Sequence, residues 1–279
     1  MTFTERGVHF VDWRMKLKKD DSVFQIDRDL IWRPRGDGIF FDENGFKVCN
    51  SCGNKNCDII CVGDSNTYGP AGDYGWPEYL NDFFHRTGVN VCNAGVWGYS
   101  SFQGLIRLSE LIKLSPRIVI VSFGWNDGAK VYINDDEYVR SKKFLNAKMF
   151  NIKLIQLTNK IVDRATLLFK KNRLVRRCST KDYEANLNKI IDLCSNNNSR
   201  VVLLTRPYRT GGFETRVFGV EHAEEYNKIV FKVAKARNVI CVDLASYFND
   251  NPKYFYDFAH FNDLGHKEAA RLIYQALLK

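Results

Sequence analysis

Four short polar blocks in this chain hold residue types that could perform chemistry together. The first is Gly63-Asp64-Ser65-Asn66-Thr67-Tyr68-Gly69, which follows directly on the apolar run Asp58-Ile59-Ile60-Cys61-Val62. Ser65 therefore stands on the turn that leaves a buried strand. A serine hydroxyl is a weak nucleophile near neutral pH and needs an adjacent base. The last block, Tyr256-Asp257-Phe258-Ala259-His260-Phe261-Asn262, offers one in His260, with Asp257 three residues earlier to orient the imidazole. Between them lie Asn93-Ala94-Gly95-Val96-Trp97-Gly98 and Phe123-Gly124-Trp125-Asn126-Asp127. A glycine such as Gly98 can turn a backbone N–H toward a ligand, and the Asn126 amide can donate into a cleft. Nucleophile, base, orienting acid and oxyanion donors are the parts of nucleophilic acyl transfer. Each block alone has an ordinary reading: a Gly-Asp-Ser turn, an Asn cap, a local Asp-x-x-His contact. The first block is not the Gly-x-Ser-x-Gly elbow, since Thr67 stands two residues after the serine.

The blocks gain weight from the elements that must carry them. Five β-rich runs recur at Asp58–Val62, Val89–Asn93, Arg117–Phe123, Arg200–Thr205 and Asn238–Asp243. Four of them are bare apolar runs without alternation, as expected of parallel strands covered on both faces. Helix-period segments fall between and after them, at Trp76–Arg86, Phe102–Leu114, Tyr183–Ser195, Glu221–Ala236 and Asp263–Leu278. This alternation predicts a three-layer α/β domain. Function in such sheets gathers at the carboxyl ends of the strands. The four blocks follow strands one, two, three and five. Residues 1–57, with Trp13, Trp32 and a turn at Asp42-Glu43-Asn44-Gly45, read as an N-terminal extension packed on a core of residues 58–279. The long crossover 127–182 carries an apolar stripe, Leu154 to Leu168, that reads as burial against the body.

Composition narrows the function classes. The chain has 279 residues, 45% hydrophobic and 14% aromatic, so it can bury a sizeable core. No apolar run approaches the roughly 18 residues of a membrane helix. Residues 1–20 lack the continuous apolar stretch of a signal peptide, so a cytoplasmic location is expected. The net charge of +9 is concentrated. Residues 130–184 hold 14 Lys and Arg against 6 Asp and Glu, which reads as a solvated helical face. No zinc-finger or nucleic-acid-binding pattern accompanies it, so nucleic acid is not an expected partner. Eight cysteines without an export signal read as free thiols. Cys49, Cys52, Cys57 and Cys61 have a spacing to test for zinc, but Cys61 reads as part of a buried strand, two pleats from Cys57, which argues against four thiolates converging and leaves zinc as the lesser reading.

With these blocks in order, the sequence resembles the SGNH hydrolases, also called GDSL-type lipases and esterases. The resemblance rests on Gly63-Asp64-Ser65 with Thr67, Asn93-Ala94-Gly95-x-x-Gly98, Gly124-x-Asn126-Asp127 and Asp257-x-x-His260, and it spans about residues 58–278. Phe261 departs from it, standing where many members have Pro. The resemblance implies a flavodoxin-like α/β/α fold with a five-stranded parallel sheet. It implies Ser65 as nucleophile, His260 as general base and Asp257 as its orienting acid. The oxyanion hole would be the Ser65 N–H, the Gly98 N–H and the Asn126 amide, and no metal or cofactor is called for. Asp64 reads as holding the turn, with substrate contact as its alternative.

The loop Arg206-Pro207-Tyr208-Arg209-Thr210-Gly211-Gly212 adds three candidate substrate-binding residues. Arg206 or Arg209 would grip a polar or anionic part, and Tyr208 would stack on a sugar; an ordinary surface loop is the competing reading. The expected substrate is a small acyl ester, such as an acetyl group on a carbohydrate or other polar alcohol. One rival is a lipid or thioester hydrolase whose crossover forms a lid. In that rival Lys170, Lys171, Arg173, Arg176 and Arg177 face anionic headgroups at a membrane surface. Acyl transfer through the same residues is another. A non-catalytic binding module is disfavoured because all four blocks are intact.

Overall fold

The computed structural model describes residues 23–48, 57–69, 74–148, 174–209, 221–249 and 251–279. Its centre is a five-stranded parallel sheet. Two strands come before it in the chain, β1 (Phe24–Asp27) and β2 (Ile31–Pro34), which pair antiparallel. The central strands are β3 (Ile59–Gly63), β4 (Val91–Gly95), β5 (Ile118–Ser122), β8 (Arg200–Leu204) and β9 (Ile240–Val242). They lie in the order β4-β3-β5-β8-β9. Counting only these five strands, the order is 2-1-3-4-5, the flavodoxin-like pattern. The register brings Gly63, Gly95 and Ser122 level with one another at the carboxyl edge.

Each central strand sends alternate side chains to opposite layers. Ile60, Val62, Val119, Val121, Val201 and Leu203 join one core, and Ile59, Cys61, Ile120, Val202 and Leu204 join the other. The first core is covered by α3 (Ser101–Leu111), α5 (Thr180–Ser195) and α6 (Glu221–Arg237). The second is covered by α2 (Trp76–Phe84), α7 (Leu244–Phe248) and α8 (Asp263–Leu277). A four-residue helix α1 (Ser65–Tyr68) follows β3 directly. Burial on both faces is why these strands read as unbroken apolar runs in the sequence.

Residues 23–48 pack on the first core through Trp32, Phe41 and Phe46. Polar ties hold them there. Tyr99 Oη donates to the Trp32 carbonyl at 2.8 Å, and Gln103 Nε2 donates to the Leu30 carbonyl at 2.5 Å. The Lys47 N–H donates to the Asn93 carbonyl at 2.8 Å.

The structure corrects two expectations. Cys57 and Cys92 form a disulfide, so the chain does not hold eight free thiols. That pairing also removes Cys57 from the four-cysteine set; Cys61 is fully buried in β3, and Cys49 and Cys52 lie outside the described residues. The basic crossover differs as well. Its two ends meet in a small antiparallel ribbon of β6 (Lys130–Val131) and β7 (Val175–Arg176), with helix α4 (Asp135–Lys148) following β6. Arg176 bonds Glu225 and His222, and Arg177 is fully buried, so neither is a solvated cation waiting for a headgroup. The Leu154 to Leu168 stripe, Lys170, Lys171 and Arg173 lie outside the described residues. Among the described residues, no helix is long and apolar enough to cross a membrane.

Helix α3 approaches the sheet closely enough that a methyl group does not fit. A Cβ on Gly104 would lie 2.2 Å from the Phe123 ring. Gly104→Ala is expected to cost about 1–3 kcal/mol of stability through overpacking, read as a lower denaturation midpoint in urea. An unchanged midpoint would contradict this approach.

Candidate active site

The carboxyl edge of the sheet collects the polar blocks from four separate loops. The first loop is built around Asp64, whose side chain caps α1 by accepting the Asn66 N–H at 2.9 Å. This cap stands Ser65 at the first position of the helix. Asn66 then reaches the last block: its Oδ1 accepts the Phe261 N–H at 3.0 Å. The serine turn and the histidine loop are thereby held side by side, 195 residues apart in sequence.

Ser65 Oγ lies 2.8 Å from His260 Nε2, and His260 Nδ1 lies 2.7 Å from Asp257 Oδ2. A carboxylate can only accept, so Nδ1 carries the proton and Nε2 is left to accept from the serine hydroxyl. Asp257 is itself fixed, its Oδ1 accepting the N–H groups of Ala259 and His260 at 2.7 Å each. Burial alone would raise the Asp257 carboxyl. The His260 hydrogen bond and charge, with the two backbone donors, outweigh it and bring it down to about 2. Asp257 thus stays a carboxylate across the working range. The other histidine nearby, His266, is fully buried; burial and the charges of Lys47, His260 and Arg206 press it down to about 3. It stays neutral and does not touch Ser65.

The two expected oxyanion loops border this triad. Residues 96–99 form a turn closed by the Tyr99 N–H on the Val96 carbonyl at 3.2 Å, and Gly98 takes φ +73° there. That angle at the third position of a turn is one that glycine adopts without strain. The Val96 N–H donates to the Gly63 carbonyl at 3.1 Å and ties the turn to the end of β3. In the third loop Asn126 Nδ2 donates to Asp64 Oδ2 at 3.4 Å, which leaves its second N–H for a ligand. Asp127 is fully buried and organises this loop from beneath. Its carboxylate accepts from the Ser101 N–H and hydroxyl on one oxygen and from the Gly124 N–H on the other. Burial raises its carboxyl to about 6 against the lowering effect of those bonds and of Arg177.

The fourth-strand loop is placed differently from its expected role. Arg206 is fully buried, its Nε donating to Asp64 Oδ2 at 3.3 Å and its Nη1 to the Ala259 carbonyl at 3.0 Å. A guanidinium so engaged ties the serine turn to the histidine loop; it does not stand open to grip a substrate. Tyr208 is buried in a small cluster with Ala223 and Trp125, which does not suit a platform for a sugar. Arg209 is partly exposed, and its N–H donates to the Phe258 carbonyl at 2.9 Å. Asp64 holds the turn and touches Asn126 and Arg206. Thr210, Gly211 and Gly212 lie outside the described residues. Sequence reading missed Lys47. Its ammonium is buried under α1, donates to the Tyr68 carbonyl at 2.8 Å and lies 3.7 Å from Glu78. A lone Lys in an N-terminal extension gives no signal of such a role.

Residues 61–268 match the model of the GDSL-like lipase/acylhydrolase family. The chain belongs to that family. Over 75 residues it is 39% identical to thioesterase 1/protease 1/lysophospholipase L1 of Escherichia coli, a stretch that is 26% of this chain. The match spans only about a third of that enzyme, 36% of its length. Among solved structures, the lipase/acylhydrolase of Enterococcus faecalis superposes with a TM-score of 0.55 at 21% identity, covering 78% of this chain and 94% of that one. An acetyl xylan esterase of Geobacillus stearothermophilus gives 0.54 at 18% identity, covering 78% and 93%. Both likenesses are of fold. The family fold accounts for the sheet order and for the loops that carry the four blocks.

The triad geometry sets a pH expectation. His260 must be neutral to accept the serine proton, so kcat/KM for an ester is expected to rise with pH. Asp257 adds no step near neutral pH. Below pH 6 the protonation of Asp127 removes a negative acceptor from the Asn126 loop, so the fall steepens beyond that of one proton. A profile flat from pH 5 to 8, with chemistry rate-limiting, would contradict His260 as the base.

Proposed function

We propose that this protein is a serine-dependent ester hydrolase in which Ser65 forms an acyl intermediate. The observation that carries the reading is the continuous chain Ser65 Oγ–His260–Asp257, with contacts of 2.8 and 2.7 Å. Ser65 Oγ attacks the ester carbonyl carbon while its proton passes to His260 Nε2. The negative charge that develops on the carbonyl oxygen is held by the Ser65 N–H, the Gly98 N–H and the Asn126 amide. One such donor is typically worth about 2.7–4 kcal/mol. Collapse of the tetrahedral intermediate breaks the bond to the alcohol oxygen, which takes the proton from His260. Water then attacks the acyl-serine, giving its proton to His260; collapse of this second tetrahedral intermediate breaks the bond to Ser65 Oγ, which takes the proton back from His260 as the acid leaves. Asp257 stabilises the imidazolium in both halves.

The proposed substrate is a small acyl ester of a polar alcohol, such as an acetylated carbohydrate. Support comes from the half-exposed setting of His260 and Asp257, 40% and 34% exposed, with the Trp125–Phe258 ring pair on the same loops as Asn126 and Asp257. The likeness in fold to an acetyl xylan esterase points the same way. The second reading is a thioesterase or lysophospholipase, favoured by the names of the Escherichia coli relative. A cytoplasmic location is not part of this proposal, since the Cys57–Cys92 disulfide suits an oxidising compartment better.

Ser65→Ala is expected to fold normally and keep less than about 1% of esterase activity, as losing a triad member costs more than that. A fluorophosphonate probe should label the native protein at Ser65 alone. Labelling elsewhere, or substantial activity in the variant, would refute the mechanism. A series of p-nitrophenyl esters separates the substrate readings: acetate turned over fastest supports the small acyl group, and octanoate preferred supports the thioesterase or lipase reading.

A further inference from the structure

The Arg177 side chain makes an unusual set of contacts for a residue in a basic crossover. It is fully buried, as is Asp135, its partner. Its Nε donates to both Asp135 oxygens at 3.1 Å, and its Nη2 donates to Asp135 Oδ2 at 2.9 Å and to Gln103 Oε1 at 2.7 Å. Its Nη1 leaves this cluster and donates to the Gly98 carbonyl at 2.6 Å. The plane of the guanidinium also lies over the Trp32 ring, 5.6 Å from its centroid. Around it, Ser100 Oγ donates to Asp135 Oδ2 at 2.6 Å, and the Asp135 N–H donates to the Arg177 carbonyl at 2.9 Å. The Arg177 N–H donates to the Ala129 carbonyl at 2.9 Å, just beyond the Asn126 loop.

We propose that Arg177 is a positioning residue for the oxyanion hole: by holding the Gly98 carbonyl it fixes the turn whose N–H receives the developing charge. This rests on the proposed mechanism, in which Gly98 is an oxyanion donor. The physical argument is one of conformational freedom. Gly98 has no Cβ to restrict it, and with φ +73° it is the joint about which the turn can rotate. The Val96–Tyr99 hydrogen bond closes the turn, but it leaves the Gly98 carbonyl to find its own partner. A charge-assisted bond of 2.6 Å from a group that is itself locked by Asp135 and Gln103 removes that freedom. Only a planar fork serves this purpose. It reaches a carboxylate, an amide oxygen and a backbone carbonyl in three directions, which an ammonium cannot do. Donors held in place before reaction stabilise a transition state without reorganising, so the effect belongs to kcat and not to substrate binding.

The decisive variant is Arg177→Lys, which keeps a positive charge near Asp135 but cannot span Asp135, Gln103 and Gly98 at once. Arg176→Ala is the control, because Arg176 lies on the same ribbon and bonds Glu225 and His222 without touching the oxyanion turn. With p-nitrophenyl acetate, Arg177→Lys is expected to lower kcat by about 10–100-fold, a part of what losing an oxyanion donor costs. KM should stay within about twofold. The affinity of benzeneboronic acid, which forms a tetrahedral adduct on the serine, should fall in parallel with kcat. Arg176→Ala should leave kcat unchanged. Unaltered kcat in folded Arg177→Lys would overturn the proposal, as would an equal loss in both variants or a loss confined to KM. If Arg177→Lys fails to fold, Gln103→Leu, which removes one anchor of the guanidinium, must show the same kcat-selective loss at a smaller size; a variant with wild-type kcat overturns the proposal. Failure of the underlying mechanism is recognised separately, by activity that survives Ser65→Ala.

Discussion

The carboxylate of Asp64 is the contact on which the loops at the carboxyl edge of the sheet are hung. It caps the short helix that begins with Ser65, receives the amide of Asn126 and receives the guanidinium of Arg206. Arg206 continues to the carbonyl of Ala259, next to His260. One buried side chain therefore refers three loops, from three strands, to a common point. The arrangement is costly to interrupt. Removing one member of a buried ion pair leaves the other without solvent or partner, typically at about 3–5 kcal/mol. Asp64 and Arg206 are each 1% exposed at the side chain. The loops of the edge are individually short and polar, and it is this shared anchor that makes them one surface.

Beneath the same helix a second polar group works from the opposite side. Asn93 Nδ2 donates to the carbonyls of Thr67 and Tyr68 and to Glu78, while Lys47 reaches the Tyr68 carbonyl. The end of α1 would otherwise present bare carbonyls to the protein interior, where an unpaired backbone acceptor is expensive. Segment 23–48 thus contributes more than cover for the first core. It brings an ammonium into the floor under Ser65, and a chain lacking it would leave Glu78 buried without that cation.

The central strands could be read from the sequence because burial on both faces leaves a plain signature, and their bounds differ from the observed ones by one or two residues. The hydrogen-bonded set Ser65–His260–Asp257 could be read because its residues follow the first and fifth strands of a parallel sheet, whose carboxyl ends share one edge, where topology does the assembling. What could not be read shares one cause. Arg206 and Arg177 are arginines in polar loops, and composition assigns such residues to the surface; only three-dimensional closure shows that each is enclosed and paired. The bond between Cys57 and Cys92 joins residues on neighbouring elements that spacing along the chain does not connect. The ribbons β1–β2 and β6–β7 are four and two residues long per strand, too short for any periodicity to register.

The β6–β7 ribbon also bears on how this chain can diversify. Val131 and Val175 face each other in the ribbon, and between them α4 still packs on the first core through Val139. The buried Asp135–Arg177 pair locks the doorway just inside it. Lengthening a flexible connection costs only about 0.6 kcal/mol per doubling. The length of sequence between residues 148 and 174 can therefore change over evolutionary time while the ribbon and the Asp135–Arg177 pair keep their geometry. That separation lets one stretch of sequence drift independently of the sheet edge that brings Ser65 and His260 together.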